Sequence, residues 1–229
     1  MKLGKRMTAI AAMVPKSRCV ADIGTDHAYL PVYLVAEGIA ESAIAGDVHK
    51  GPYLSAVNTA CGSGVGEKIS VRLGDGLAVV CPGEADTAVI AGMGGTTIAG
   101  ILAARPEVTT SFRRLVLQPM SGAGFLRRWL ADNGWCIDDE TLVVEDGILY
   151  EVIAAEPGSA PGYEFLMDEI GPVLWEKRHP LLKTHLTIML ERLNQVIVKM
   201  RLSTQAVNSP KYREYQKKVD QLEEKLTCL

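Results

Sequence analysis

The sequence has no CxxC pair and no Cys/His spacing suited to a metal. Its five cysteines (Cys19, Cys61, Cys81, Cys136, Cys228) are odd in number. Neither a disulfide framework nor a zinc site is expected, and a reducing cytoplasm is the expected location. No stretch approaches the roughly 18 unbroken apolar residues of a membrane span, so no membrane association is expected. The opening MKLGKRMTAIAAMVPKSR carries an apolar run too brief for a secretory leader and broken by Pro15. Long internal repeats and low-complexity tracts are also missing. A strong net charge is absent too: the value of −3 argues against a generic polyanion binder.

What remains is a chain of 229 residues, 48% apolar and 22% charged. That is ordinary for a globular protein, and long enough for one α/β domain plus an appendage. Charge is unevenly spread. Residues 176–229 hold 11 Lys+Arg against 6 Asp+Glu, a net of +5, which leaves −8 for the rest. An acidic body with a basic tail suggests a division of labour.

Short β-rich runs at 19–24, 43–48, 69–74, 87–91, 115–118, 136–144 and 150–155 alternate, early in the chain, with helical patterns at 29–37, 52–61, 96–105 and 124–133. Runs such as TAVIA and LVLQ are nearly continuous in apolar residues, as in a parallel sheet covered on both faces. Alternating β and α elements predict a doubly wound sheet. The last two strands, joined through EDG, predict a hairpin at the sheet edge. After AEPGSAPG helical patterns take over, so residues 1–157 are expected to form one domain and 158–229 a helical one. Leu186, Met189, Leu190, Leu193, Val196, Ile197 and Met200 recur at spacings of three and four, as do Tyr212, Tyr215, Val219, Leu222 and Leu226. With Pro210 in the first turn of the second helix, the pair is expected to lie antiparallel as a coiled-coil arm.

The most informative stretch is VADIGTDHAYLP, residues 20–31. A strand runs into a glycine, as at a dinucleotide site, but the G-x-G-x-x-G fingerprint stops at Gly24, and Asp22 and Asp26 flank it. Carboxylates beside a pyrophosphate would repel it by several kcal/mol in a poorly solvated cleft. A ligand with a positive centre and no phosphate removes the conflict, and S-adenosylmethionine is such a ligand. Asp47, ending the second strand, is placed to accept hydrogen bonds from ribose hydroxyls. Asp75 in LGDGL could accept from an adenine amino group, with Gly76 letting the base lie close. Gly92, Met93, Gly94 and Gly95 in AGMGGTT end the fourth strand, the first two on the cofactor side. The glycines there leave room for a flat substrate beside the transferable methyl. Each of these acids is also a common turn-former.

VADIGTDHAYLP, AGDVHKGPY, RLGDGL, IAGMGG and LVLQP, followed by a helical tail, resemble the bacterial tRNA (adenine-22) N1-methyltransferase family over nearly the whole chain. The resemblance implies a Rossmann-like class I methyltransferase domain with a C-terminal coiled-coil domain. It also implies S-adenosylmethionine as donor, with S-adenosylhomocysteine as product, and N1 of an adenine in the tRNA D-arm as acceptor. Direct displacement by the N1 lone pair needs neither a metal nor a covalent enzyme intermediate. Asp26 is the candidate to stabilise charge developing on the ring, or else to order the loop through backbone amides. His27 suits a structural or substrate contact better than an obligatory base, and Tyr29 suits stacking on a base or packing in the core. The tail cations, Lys217 and Lys218 among them, could grip tRNA phosphates or form a solvated face. Arg113, Arg114, Arg127 and Arg128 could extend that basic track. No obligatory protein partner is evident. The rival readings are another methyl acceptor, an NAD(P)-dependent oxidoreductase, and a non-catalytic RNA-binding protein.

Overall fold

The computed structural model describes residues 2–160, 162 and 164–229. Tyr163, the first residue after AEPGSAPG, lies outside the described residues. The chain divides into two compact units, residues 1–162 and 163–229.

In the first unit seven strands form one sheet: β1 (Ser17–Ile23), β2 (Ala40–Asp47), β3 (Ile69–Leu73), β4 (Thr87–Gly94), β5 (Arg114–Ser121), β6 (Trp135–Glu145) and β7 (Ile148–Pro157). Their order is β3-β2-β1-β4-β5-β7-β6. β1 to β5 run parallel, and β7 is antiparallel to both β5 and β6. Parallel neighbours require crossovers, supplied by α2 (Tyr29–Ala36), α3 (Lys50–Cys61) and α4 (Gly95–Ala104) with the short α5 (Pro106–Thr109). The helix α6 (Ala123–Asp132) leads into the hairpin. Asp146 and Gly147 form the two-residue turn of that hairpin with φ of 51° and 76°, the twist that Asp-Gly supplies. The helix α1 (Lys5–Ala12) packs against β5, β6, β7 and α2, with Met7, Ile10 and Ala11 turned to the core.

The central strands are buried on both faces. Val20, Ala21, Ala45, Ala88, Val89, Ile90, Leu115, Val116, Leu117 and Val152 are all fully enclosed. Each large aliphatic among them contributes roughly 1.5–3 kcal/mol. The helix α2 is apolar almost all round, with Leu30, Pro31, Val32, Leu34 and Val35 buried, as a helix packed on several sides must be.

Arg127 corrects an expectation. Its side chain is fully buried on α6, where Nε donates to Glu140 Oε1 at 2.7 Å and Nη2 to Glu151 Oε2 at 2.7 Å. Burial works against its charge, and the two glutamates outweigh that cost and hold it protonated. A guanidinium sealed between two carboxylates is withheld from an RNA phosphate. Arg113 and Arg114 also fall away from the substrate side. They stand at the amino end of β5, the end opposite the strands' carboxyl termini, and Arg114 pairs with Asp138.

The second unit is more than a bare pair of helices. It comprises α7 (Met167–Ile170), α8 (Pro172–Glu176), α9 (Leu182–Met200), α10 (Thr204–Val207) and α11 (Pro210–Thr227). Leu166, Ile170, Leu174, Leu182 and Leu186 are buried. The helices α9 and α11 pack together. The Ser209 hydroxyl accepts the Tyr212 N–H at 3.2 Å, and Pro210 occupies the first turn of α11. At 19 residues, α9 extends about 28 Å. No described helix is long and apolar enough to cross a membrane.

Removing Arg127 takes away the guanidinium that donates to the buried Glu140. Arg127→Ala is therefore expected to destabilise the protein by about 3–5 kcal/mol, measured by urea unfolding. A loss under about 1 kcal/mol would contradict the structural role.

Candidate functional site

The chain leaves β1 in one direction, through β2 and β3, and returns on the other side as β4 and β5. The strand order thus reverses between β1 and β4, which pair Ile23 with Ile90. At such a switch point the carboxyl ends of the strands diverge and open a crevice. Here the crevice is a cleft of about 310 Å³ whose lining includes Gly24, Asp47, Asp75, Gly76, Gly92 and Met93. Ile23, Gly46, Val48, His49, Gly74, Ala91, Thr97 and Ile101 complete it. No lysine or arginine is among these residues.

The loop after β1 is tightly specified. Gly24 has φ 77°, and Asp26 and Ala28 also lie in the left-handed region at 52° and 54°, each at a cost of order 1–3 kcal/mol. The neighbouring strand holds it: Gly24 N–H and Thr25 N–H both donate to Gly46 O, at 2.8 and 3.1 Å. Asp47 accepts the His49 N–H on Oδ1 at 2.8 Å and the Asp26 N–H on Oδ2 at 3.4 Å. A carboxylate has about four lone-pair sites, so Asp47 retains capacity for a ligand's hydroxyls.

Asp22 lies beneath the loop and is buried. Burial pushes its carboxyl up to about 6; the Thr25 hydroxyl offsets this in part, and the nearby Asp47 charge adds to it. Asp26 and His27 are instead exposed and form a contact of 3.4 Å between Oδ2 and Nε2. The imidazole stacks on Tyr29 with centroids 5.3 Å apart and planes inclined by 19°. Tyr29 is 47% exposed, so it is no core residue and its ring is open to a second flat group. No backbone amide among the described residues donates to the Asp26 carboxylate, which argues against a loop-ordering role.

The glycines have separate reasons. Met93 folds back so that its Cε would sit 2.2 Å from a Cβ on Gly24, and φ at Gly92 is 78°. The register of β4 on β5 shifts on both sides of Met93, a bulge of the kind that re-aims side chains beside functional sites. Gly95 does not leave room for a substrate as expected: a Cβ there would meet Gly122 O at 2.4 Å. It permits close backbone packing of α4 instead. Sequence reasoning missed Gln118, which is fully buried and accepts the Gly92 N–H at 3.2 Å. Its place in LVLQP was visible, but nothing in the sequence marked the side chain as the loop's anchor.

In the second unit Lys217 is exposed, with Nζ 4.4 Å above the Phe165 ring. Lys218 is mostly covered and paired with Glu169 at 2.5 Å and Glu214 at 3.1 Å, so it is spent within the unit. The acids at 164, 168 and 169 reduce the helical region's net charge from +5 to +2.

No group of three or more metal-ligating side chains occurs among the described residues. An acid-lined, cation-free cleft suits a nucleoside bearing positive charge and opposes a diphosphate. Fold and cleft belong to the Rossmann-like methyltransferases, and the methyltransferase-domain family matches residues 3–153. The tRNA (adenine(22)-N(1))-methyltransferase of Bacillus subtilis is 48% identical over 158 residues, 69% of this chain and 66% of that protein. The solved structure of the B. subtilis M1A22 tRNA methyltransferase superposes with a TM-score of 0.88 at 37% identity, covering 97% of this chain and 98% of that one. Streptococcus pneumoniae Sp1610 in complex with S-adenosyl-L-methionine gives 0.88 at 33% identity, with 98% and 100% covered. The chain belongs to the tRNA (adenine-22) N1-methyltransferase family.

The Asp22 carboxyl generates a pH signature. Its folded value near 6 exceeds the unfolded value of about 3.9. Between these the unfolded chain holds fewer protons, so stability falls as pH rises. Relative to wild type, Asp22→Asn is expected to gain up to about 3 kcal/mol between pH 4 and pH 7, read from denaturant curves of the ligand-free protein. A pH-independent difference between the two would contradict the assignment.

Proposed function

We propose that this chain transfers a methyl group from S-adenosylmethionine to N1 of an adenine in the D-arm of tRNA. The observation that carries the reading is the acid-lined cleft at the β1/β4 switch point, in a chain of this family. When bound, S-adenosylmethionine would supply the methyl: the adenine N1 lone pair forms the N–CH3 bond in line while the S–CH3 bond breaks, its electron pair staying on sulfur as S-adenosylhomocysteine leaves. The chain's residues bind, orient and neutralise. Asp47 holds the ribose hydroxyls, Asp75 accepts from the adenine amino group, and Gly24 and Gly76 admit the nucleoside close to the backbone. Asp22 supplies negative charge beneath the cationic end of the ligand. Gly92 and Met93 bound the cofactor side of the acceptor opening, and Gly94 keeps it low.

The acceptor adenine becomes positively charged on methylation. Asp26, exposed at the loop, stabilises that charge, and Tyr29 with His27 offers a stacking face to a base turned out of its pair. No base is needed, because free N1 carries no proton at neutral pH. The helical unit, residues 158–229, is an antiparallel coiled-coil tRNA contact in this reading, with Lys217 the better phosphate ligand of the two neighbouring lysines. In this reading the protein works in the cytoplasm, where its free thiols stay reduced.

Nucleoside mass spectrometry of tRNA incubated with enzyme and S-adenosylmethionine is expected to show 1-methyladenosine at a D-arm position. Unmodified tRNA would contradict the reading. Asp47→Ala removes two charge-assisted hydrogen bonds and is expected to weaken S-adenosylmethionine binding by roughly ten- to a hundredfold, measured by calorimetry. Lys217→Glu is expected to weaken tRNA binding and flatten its salt dependence. Unchanged affinity and slope would assign Lys217 to the solvated face alone.

A further inference from the structure

On the rim of the cleft next to Gly92 sits Arg6, in the first turn of α1. Its Nη1 donates to Gln118 Oε1 at 3.2 Å, the same oxygen that accepts the Gly92 N–H at 3.2 Å. Gln118 Nε2 donates onward to Pro119 O at 3.1 Å. The guanidinium carbon lies 5.2 Å from the centroid of the Tyr150 ring, and the Arg6 backbone N–H donates to Glu145 Oε1 at 3.3 Å. Helix, side chain and ring plane are thus all fixed. Nη1 comes within 3.9 Å of the space a Cβ on Gly92 would occupy, and Gly92 lines the cleft.

The charge of this group is not matched. Its side-chain contacts are an amide oxygen, the Met120 sulfur at 3.8 Å and an aromatic face. Among the described residues no carboxylate pairs with the guanidinium, and its Nε is buried without a hydrogen-bond partner. Arginine stays charged at any relevant pH and presents five donors in a rigid fork. A half-buried cation left with neutral partners is costly, and the cost is recovered when an anion arrives. Arg127, by contrast, has two carboxylates and is closed off. The exposed Lys2 and Lys5 lie on the same segment, which adds positive charge beside an otherwise acidic mouth.

We propose that Arg6 is a substrate-contacting residue that holds a phosphodiester of the RNA strand whose base enters the cleft, a role that rests on the RNA methylation proposed above. Gln118 and Tyr150 preorganise the fork, so little side-chain freedom is lost on binding. Lys2 and Lys5 extend the contact along the strand. The same Gln118 oxygen fixes Gly92, so phosphate contact and acceptor opening share one anchor.

The test compares wild type, Arg6→Gln and Arg6→Lys, each full length. Arg6→Gln is expected to raise KM for tRNA roughly tenfold or more with S-adenosylmethionine Kd unchanged. The slope of log K for tRNA against log salt should shrink by about 0.7–0.9. Arg6→Lys should restore the slope, since charge is kept, but only part of KM, since the fork is lost. An unchanged KM and slope in Arg6→Gln overturns the contact. So does a change confined to cofactor affinity and Tm, which would leave Arg6 as a brace for the Gly92 turn. A wild type that modifies no RNA overturns the function, and the salt-slope comparison on bound tRNA then still decides the contact separately.

Discussion

The site depends on one electrostatic constraint: two carboxylates, Asp22 and Asp47, are held close together at the ends of adjacent parallel strands with no basic residue lining the cleft. Burial lifts Asp22 to about 6, and Asp47 adds to the lift. An apo protein that keeps two acids in this position is paying in stability for a ligand that brings positive charge. By Coulomb repulsion the arrangement opposes the diphosphate that the same strand-glycine-helix frame binds in dinucleotide enzymes.

The rest of the fold serves that mouth. The reversal of strand order opens it, and the backbone of Gly46 holds the Gly24 turn from the neighbouring strand. On the acceptor side Gln118, Arg6 and the β4 bulge form one connected unit around Gly92. This side is built from α1, β4 and β5, whereas the nucleoside side is built from β1, β2 and β3. In the proposed reading, cofactor binding and substrate contact draw on different elements that meet at residues 91–94.

Much of this was legible in the sequence. The central parallel strands announce themselves because they must be apolar throughout, and the hairpin of β6 and β7 because the Asp-Gly turn has few other uses between two strands. Gly24, Asp47, Asp75, Gly76, Gly92 and Met93 end strands, so a doubly wound topology brings them to one cleft with no further information. The remainder is tertiary. Arg127 reads as a surface cation on an amphipathic helix, and only the inward turn of Glu140 and Glu151 makes it a core residue. Lys218 looks as free as Lys217 until Glu169, 49 positions away, closes on it. Gly95 resembles its neighbours, yet the approach of Gly122 gives it a packing role. The apolar stripe of α1 is short and set among basic residues, so Met7, Ile10 and Ala11 do not stand out, and Gln118 sits in an apolar strand where its amide has no local signature.

The central claim is that the nucleoside side of the cleft, around Asp22, Asp47 and Asp75, selects for positive charge and against a diphosphate. Calorimetry at neutral pH, with S-adenosylmethionine and NAD titrated separately into the protein, tests it most directly. Saturable binding of S-adenosylmethionine, lost in Asp47→Ala, with no measurable uptake of NAD, is the predicted result. Binding of NAD at comparable affinity, also lost in Asp47→Ala, would contradict it.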